Sequence, residues 1–392
     1  MTACDSAAAR AVEQVARAAY GRLLAYLAAR WRDVTAAEDA LADAFAAALQ
    51  TWPAQGVPDR PEAWLLTAAR RRLVDQARHA KVRGAAATAL FLLAEERDAP
   101  AVPDERLALL FVCAHPAIDP AIHTPLMLQC VLGLDAARIA AAFLVQPAAM
   151  GQRLARAKAK IRAAGIAFAI PEARELPARV GAVLQAIYAA FTAGWDGDSS
   201  LAKEAIFLGR VLCAQMPDTP EARGLLALML LAAGRSPAGR DAAGRFVPLR
   251  DQDPARWDAA RIAEGMVHLA RAGEAGAPGR FQLEAAIQAV HCVRPTDWGE
   301  IALLYEGLIA VSPTVGVAVA RAVAVGEALG ATHGLARLDE VGDAADYQPY
   351  WAARAHLLAA AGLDATAAAW RAVELARDPA VREWLGRKYV LF

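Results

Sequence analysis

Between Arg153 and Arg162 the chain carries five Lys/Arg and no acid. At 100° per residue, Gln152, Arg153, Arg156 and Lys160 fall on one side of a helix, and Met150, Leu154, Ala157 and Ile161 fall within about 60° of one another on the other. Lys158 and Arg162 flank that apolar stripe, within reach of phosphates. An apolar back and a front of Arg and Gln suit a helix laid in a DNA groove, because Arg pairs with guanine edges and Gln with adenine edges. An ordinary helix with a solvated basic face would read similarly.

A second basic stretch, Arg70 to Arg83, holds six Lys/Arg and one acid, Asp75. Its cations are Arg70, Arg71, Arg72, Arg78, Lys81 and Arg83, with His79 among them and Trp64 near the start of the same helix. Basic residues with an aromatic suit contact with an opened strand and stacking on an unpaired base. Core packing of Trp64 is the plainer alternative. Two basic helices far apart in the chain suggest two contacts with one long polyanion. Ahead of them, Glu38, Asp39 and Asp43 lie across a helix from the apolar stripe Leu41, Ala44, Phe45, Ala48, Leu49 and Trp52, as a solvated acidic face. In the second half, Asp251, Gln252, Asp253 and Trp257 gather in one loop run, LRDQDPARWD. They could make a functional contact, or lock the loop by capping the next helix and packing the indole.

These residues need helices to position them. Alanine is abundant, β-branched runs are scarce, and no strand-like alternation bounded by turns occurs, so the fold class expected is all-α. Helices are expected over about 7–30 and 35–52, the second ending before Pro53, and a third opens at Pro61. Asp135 is placed to cap a short helix burying Ile139, Ala140 and Phe143; Leu144 and Val145 fill a turn, and Pro147 starts the basic helix. Arg138 stands where Glu would complete a capping box, and Gly151 inside the basic helix costs up to about 1 kcal/mol relative to Ala. Domains are expected at 7–82, 104–165 and 177–392, with an alanine-rich linker at 83–103. The last stretch reads as stacked helical hairpins, with Tyr305, Leu308 and Pro313 at tetratricopeptide spacing and Gly362 and Ala367 well placed; Trp370 comes one residue early. Residues 235–257 form an ordered surface loop.

Composition narrows the function. Net charge is +0, yet residues 1–169 carry about +4 and residues 170–392 about −4, a bias toward a polyanion partner for the first part. The five cysteines are scattered with no CxxC pair, which fits a reducing cytosol and disfavours disulfides or a zinc knuckle. The N-terminus has no basic segment leading into an apolar core, and apolar runs such as GLLALMLLAAG are too short to span a bilayer, so neither a signal peptide nor a membrane partner is expected. HExxH, GxSxG, GxxxxGK[ST] and a strand-following GxGxxG are all missing, so no enzyme, cofactor or metal is expected.

The run PDERLALLFVCAHPAIDPAIHTPLMLQCVLGLDAARIAAAFLVQPAAMGQRLARAKAKIR resembles the fourth conserved region of RNA polymerase sigma factors. Within them it resembles the extracytoplasmic-function subgroup with a C-terminal tetratricopeptide-like extension, which typically has a Cys–His–Pro run where this chain has Cys113-Ala114-His115-Pro116. A packed thiol and a hydrogen-bonded imidazole explain Cys113 and His115 better than a metal. The segment through Arg83 resembles the second conserved region. That resemblance implies that the acidic helix docks on the clamp helices of the largest subunit of core RNA polymerase. It also implies that the arginine-rich helix and the loop Val57 to Arg60 engage the melted minus-ten element of promoter DNA, and that the 135–162 run reads the minus-thirty-five element. The LRDQDPARWD run resembles a recurring segment of the same subgroup, and a regulatory protein partner on the C-terminal domain is compatible with it. The alternatives are a helix-turn-helix repressor with a helical-repeat ligand domain, acting without polymerase, and a protein scaffold without DNA affinity.

Overall fold

The computed structural model describes residues 3–79, 104–143, 145–172, 174–195, 199–342 and 344–390. Among the described residues the fold is all-α, with no strand beyond an isolated antiparallel bridge between Arg240 and Phe246. The expected linker 83–103, Lys81 and Leu144 lie outside the described residues. The chain divides into two compact units, Met1–Ala205 and Ile206–Phe392.

In the first unit, α1 (Ala3–Trp31), α2 (Val34–Gln55) and α3 (Pro61–His79) pack on one another. Leu23, Leu24 and Leu27, then Leu41, Ala44, Ala48 and Trp52, then Leu65, Ala69 and Leu73 are buried. Asp33 caps α2 by accepting the Thr35 and Ala36 backbone N–H groups, which satisfies donors that a helix start leaves open. Contrary to the expected stop at Trp52, α2 runs on through Pro53 to a glycine cap at Gly56, φ 86°. Pro53 offers no N–H to Leu49, and the helix ends three residues on at Gly56.

Four further helices join this unit: α4 (Arg106–Cys113), α5 (Pro120–Leu132), α6 (Ala136–Ala142) and α7 (Pro147–Ala163). Helix α5 packs against α1 at very close range. A Cβ on Gly21 would stand 1.9 Å from the Val131 carbonyl oxygen, so the two backbones touch. Two residues on, Gly133 ends α5 with φ 70°, and its free face is covered by the Tyr20 ring. The segments expected as separate domains 7–82 and 104–165 therefore share one core.

Helix α8 (Leu176–Trp195) belongs to that core too, packing on α4 and α5. Val183, Leu184, Ile187 and Phe191 are buried, Arg179 donates to the Phe111 carbonyl at 2.6 Å, and Thr124 donates to the Ala186 carbonyl at 3.2 Å. The unit boundary thus falls at 205–206, inside α9 (Ser199–Gln215), rather than at 165–177. By length and composition, Leu176–Ala193 of α8 is apolar enough to cross a membrane, contrary to the expectation that every apolar run is too short. Burial of one side against α4 and α5 accounts for much of that apolar character.

The second unit continues with α10 (Pro220–Arg235), α11 (Ala259–Gly273), α12 (Arg280–Val290), α13 (Trp298–Val311), α14 (Val315–Leu329), α15 (Ala331–Asp339), α16 (Gln348–Ala360), α17 (Thr366–Leu375) and α18 (Pro379–Leu385). Successive helices pack on their neighbours. The Glu221 carboxylate accepts the Phe281 and Gln282 backbone N–H groups at 2.9 and 3.3 Å, tying the start of α12 to α10. Leu308 is buried in the α13 cluster with Ile301, and Gly362 closes α16 with φ 72°. Trp370 is 48% exposed while Ala368 and Ala369 are buried. One residue of helix is 100° of rotation, so arriving one position early turns the indole outward.

Candidate nucleic-acid interface

Helix α6 starts where Asp135 accepts the Arg138 N–H at 2.8 Å. It buries Ile139 and Ala140, with Phe143 half-buried at its end. The Val145 N–H returns to the Ala140 carbonyl at 3.0 Å, turning the chain through Gln146 into Pro147 and α7. Met150, Leu154, Ala157 and Ile161 of α7 are buried, whereas Gln152, Arg153, Arg156 and Lys160 are exposed. The Arg156 guanidinium donates to the Gln152 backbone carbonyl at 3.3 Å, and the i,i+4 spacing puts the two side chains on one face. Nothing lies within 4 Å of a Cβ built on Gly151. The result is a helix seated on its apolar stripe, presenting Gln and Arg outward.

Lys158 is placed differently. It forms an ion pair with Glu38 of α2, and the two side chains are only 11% and 13% exposed. The Cys130 thiol faces the same carboxylate at 3.8 Å. Burial pushes the Glu38 carboxyl above its usual range, against the opposing pull of Lys158. Tyr20, also buried, has its phenol raised by burial and by the neighbouring Glu38 charge. At the end of α7, Arg162 pairs with Asp33 at 3.1 Å.

On α3, Arg71 and Arg72 are exposed, and Arg72 pairs with Asp43 at 2.7 Å. Arg70 departs from the expectation of a surface cation. It is 6% exposed, donates to the Tyr26 hydroxyl, and lies 5.0 Å from that ring. Three consecutive arginines sweep about 200° of helix, and the inward one falls between Leu66, Ala69 and Leu73. The side chain of Arg78 lies outside the described residues. Trp64 is half-buried and meets Trp52 edge-on, 5.6 Å between ring centres. Val57 in the preceding loop is 42% exposed. Asp39 and Asp43 are exposed on α2, so the expected acidic face keeps two members at the surface and gives Glu38 to Lys158.

Cys113 is fully buried, its thiol against that of Cys130, and the His115 ring accepts the Ala117 N–H at 3.1 Å. Burial lowers the His115 imidazole below its ordinary range. Among the described residues no cluster of His, Cys, Asp or Glu could hold a metal ion.

In the second unit, residues 249–258 form two short 3-10 turns, Leu249–Asp251 and Pro254–Arg256. Asp253 accepts the Ala255 N–H, Gln252 donates to the Val247 carbonyl, and the Trp257 indole N–H donates to Gln252. Asp251 is exposed. Sequence reasoning missed the cations that hold this loop. Arg256 donates to the Pro237 and Arg240 carbonyls at 2.7 and 2.8 Å, and Arg240 pairs with Asp378. Arginines bonding backbone carbonyls across many residues leave no spacing signature.

A model of sigma-70 region 2 matches residues 16–83, covering most of α1 with α2 and α3. A model of a family of unknown function (DUF6596) matches residues 179–273, from α8 through α11 and including the 249–258 loop. The uncharacterized protein R00370 of Rhizobium meliloti (strain 1021) is 38% identical over 383 residues, covering 92% of this chain and 90% of that protein. The chain belongs to the family of that protein. Its sigma-70 region 2 supports a sigma factor family and a role in transcription initiation, with core RNA polymerase and promoter DNA as implied partners. The exposed Asp39, Asp43, Arg71 and Arg72 all fall inside the matched region. No solved structure matches the chain.

Proposed function

We propose that this protein is a cytoplasmic sigma factor of the extracytoplasmic-function subgroup with a tetratricopeptide-like C-terminal extension. Helices α6 and α7 act as a helix-turn-helix that reads the upstream promoter element through Gln152, Arg153, Arg156 and Lys160. Arg71, Arg72 and Arg78 of helix α3, together with Lys81, contact the melted downstream element; Arg70 supports α3 from the core. Asp39 and Asp43 of α2 dock on the clamp helices of core polymerase. The C-terminal helices regulate initiation, with Asp251, exposed and not used as a cap in this loop, available to polymerase or a regulatory protein.

The observation that carries this reading is α7 itself: a basic, acid-free front opposite a buried Met–Leu–Ala–Ile back, on a chain that also carries sigma-70 region 2. A helix with those two sides can enter a groove while its body stays anchored. The test is promoter selection from a random DNA library by the chain with core polymerase, followed by binding of Arg153→Ala and Arg156→Ala to the selected sequence. Each variant should weaken binding by about 1–3 kcal/mol where it meets a guanine edge, and relax the preferred base there. Unchanged affinity and sequence preference in both would remove α7 from the interface.

A further inference from the structure

Several arginines of the second unit end on a carboxylate: Arg210 on Glu264, Arg240 on Asp378, Arg354 on Asp339. Arg235 and Arg294 do not. Arg235, the last residue of α10, is 7% exposed. Its guanidinium donates to the Gln288 backbone carbonyl at 3.4 Å and to the Gln288 side-chain carbonyl, and its Nε–H meets no acceptor among the described residues. Arg294, exposed in the turn after α12, donates to the Thr296 hydroxyl at 2.9 Å and to the Leu249 carbonyl, and lies over the Trp257 ring. His291 and Cys292, both half-buried, stand close to both guanidiniums. Arg235 also donates to the Cys292 sulfur. Burial, then the two arginine charges, push the His291 imidazole down. None of the charges acting on Arg235, His291 or Cys292 is a carboxylate.

We propose that Arg235 and Arg294, where the end of α10 meets the 249–258 loop and the turn 291–296, form a binding site for a small oxyanion, the carboxylate or phosphate group of a soluble metabolite. Two like charges held near one another, one of them out of water, are costly unless an anion compensates them. A guanidinium suits that anion, because its planar fork matches the spacing of carboxylate and phosphate oxygens. Each of the two has more donors than its protein acceptors take up. Val293, Arg294 and Pro295 are exposed, so the ligand arrives over this turn. Arg235 adds a desolvated charge, whose attraction for an anion is stronger than that of a charge in water. Through Arg294 the site is joined to the loop, since the guanidinium that meets the anion also holds Leu249 and Trp257. Binding here does not depend on the chain's acting as a sigma factor.

The full chain, in a zwitterionic buffer with ionic strength fixed by sodium chloride, is titrated with inorganic phosphate and, separately, with succinate. Binding is read by calorimetry and by the His291 ring resonance of histidine-labelled protein, assigned with His291→Gln. At least one probe should bind saturably. The resonance should move with the same half-saturation, because the anion compensates the two charges beside that ring. Tighter phosphate binding names a phosphorylated ligand, and tighter succinate binding a carboxylate one. Arg294→Gln should raise the half-saturating concentration about tenfold or more, as loss of a charge-assisted hydrogen bond does. Arg294→Lys, which keeps the charge, should recover part of that loss. Arg235→Gln should weaken binding likewise. If it loses its helical circular dichroism, the Arg294 variants decide the question, since Arg294 is exposed. No saturable binding of either probe, binding that leaves the His291 resonance in place, or binding unchanged in Arg294→Gln would each overturn the site.

Discussion

The guanidinium of Arg294 lies 5.4 Å from the centre of the Trp257 ring and donates to the Leu249 carbonyl at 2.6 Å. One arginine thus grips both ends of the 249–258 run, while Gln252 joins that run to itself through the indole N–H. A cation–ring contact and a charge-assisted hydrogen bond both act to hold this loop.

The two carboxylates of this loop should separate on mutation. Asp253→Ala removes the acceptor of the Ala255 N–H and should lower stability by about 0.5–2 kcal/mol, as lost caps do. Asp251→Ala removes an exposed group and should leave the melting temperature within about 1 °C, because surface changes of this kind are worth under ~0.5 kcal/mol. If Asp251 contacts polymerase or a regulator, transcription in vitro falls in that variant alone. Equal transcription by Asp251→Ala and wild type would assign the loop to folding.

Replacing Asp39 and Asp43 together with Lys should abolish core-polymerase binding and leave the fold intact. Both residues are exposed, and the Asp43–Arg72 pair is 49% and 58% exposed on its two sides, a setting in which ion pairs contribute about 0–1 kcal/mol. Circular dichroism checks the fold, and co-migration with core polymerase on a sizing column checks binding. Retained binding would take α2 out of the polymerase contact.

Gly151→Ala should stabilise the protein. The position is interior to α7, has helical backbone geometry, and offers open space for a methyl group. A gain of about 0.5–1 kcal/mol is expected from helix propensity alone. Urea denaturation of the full chain measures it. A loss of stability would mean that α7 bends at this residue.

His291 should make the second unit sensitive to acid. Burial, then the charges of Arg235 and Arg294, push its imidazole down from 6.5 to about 4. The unfolded chain takes up a proton that the folded chain refuses, so stability is full above about pH 6.5 and falls as pH drops toward 4, by at most about 3 kcal/mol. His291→Gln should flatten melting temperature against pH across that window. A slope equal to wild type would place the titration elsewhere.

Much of the site was legible because the apolar periodicity of α7 is clean. Met150, Leu154, Ala157 and Ile161 are buried as spaced, and Asp135 and Pro147 begin their helices. The same arithmetic, carried to the charged residues, would also have reached those that turned inward. Glu38 stands three residues before Leu41 and four after Val34, on the buried side of α2. Arg70 stands four after Leu66 and three before Leu73. Charge alone marks both residues as surface groups, whereas their position on the stripe turns them inward. The joining of 7–82 with 104–165 was not legible at all. It depends on Gly21 meeting Val131, and a lone glycine inside a helix does not name the residue it approaches.

That meeting of Gly21 with Val131 has a consequence for the chain as a covalent object. The two residues lie on opposite sides of 80–103, and so do Tyr20 with Gly133 and Asp33 with Arg162. Continuity of the polypeptide through 80–103 is therefore not what holds α1–α3 to α4–α8. If the chain is produced as two polypeptides, 1–79 and 104–392, they should associate when co-expressed. The folding of α1–α8 should then become bimolecular, its melting temperature rising with protein concentration where that of the intact chain stays constant.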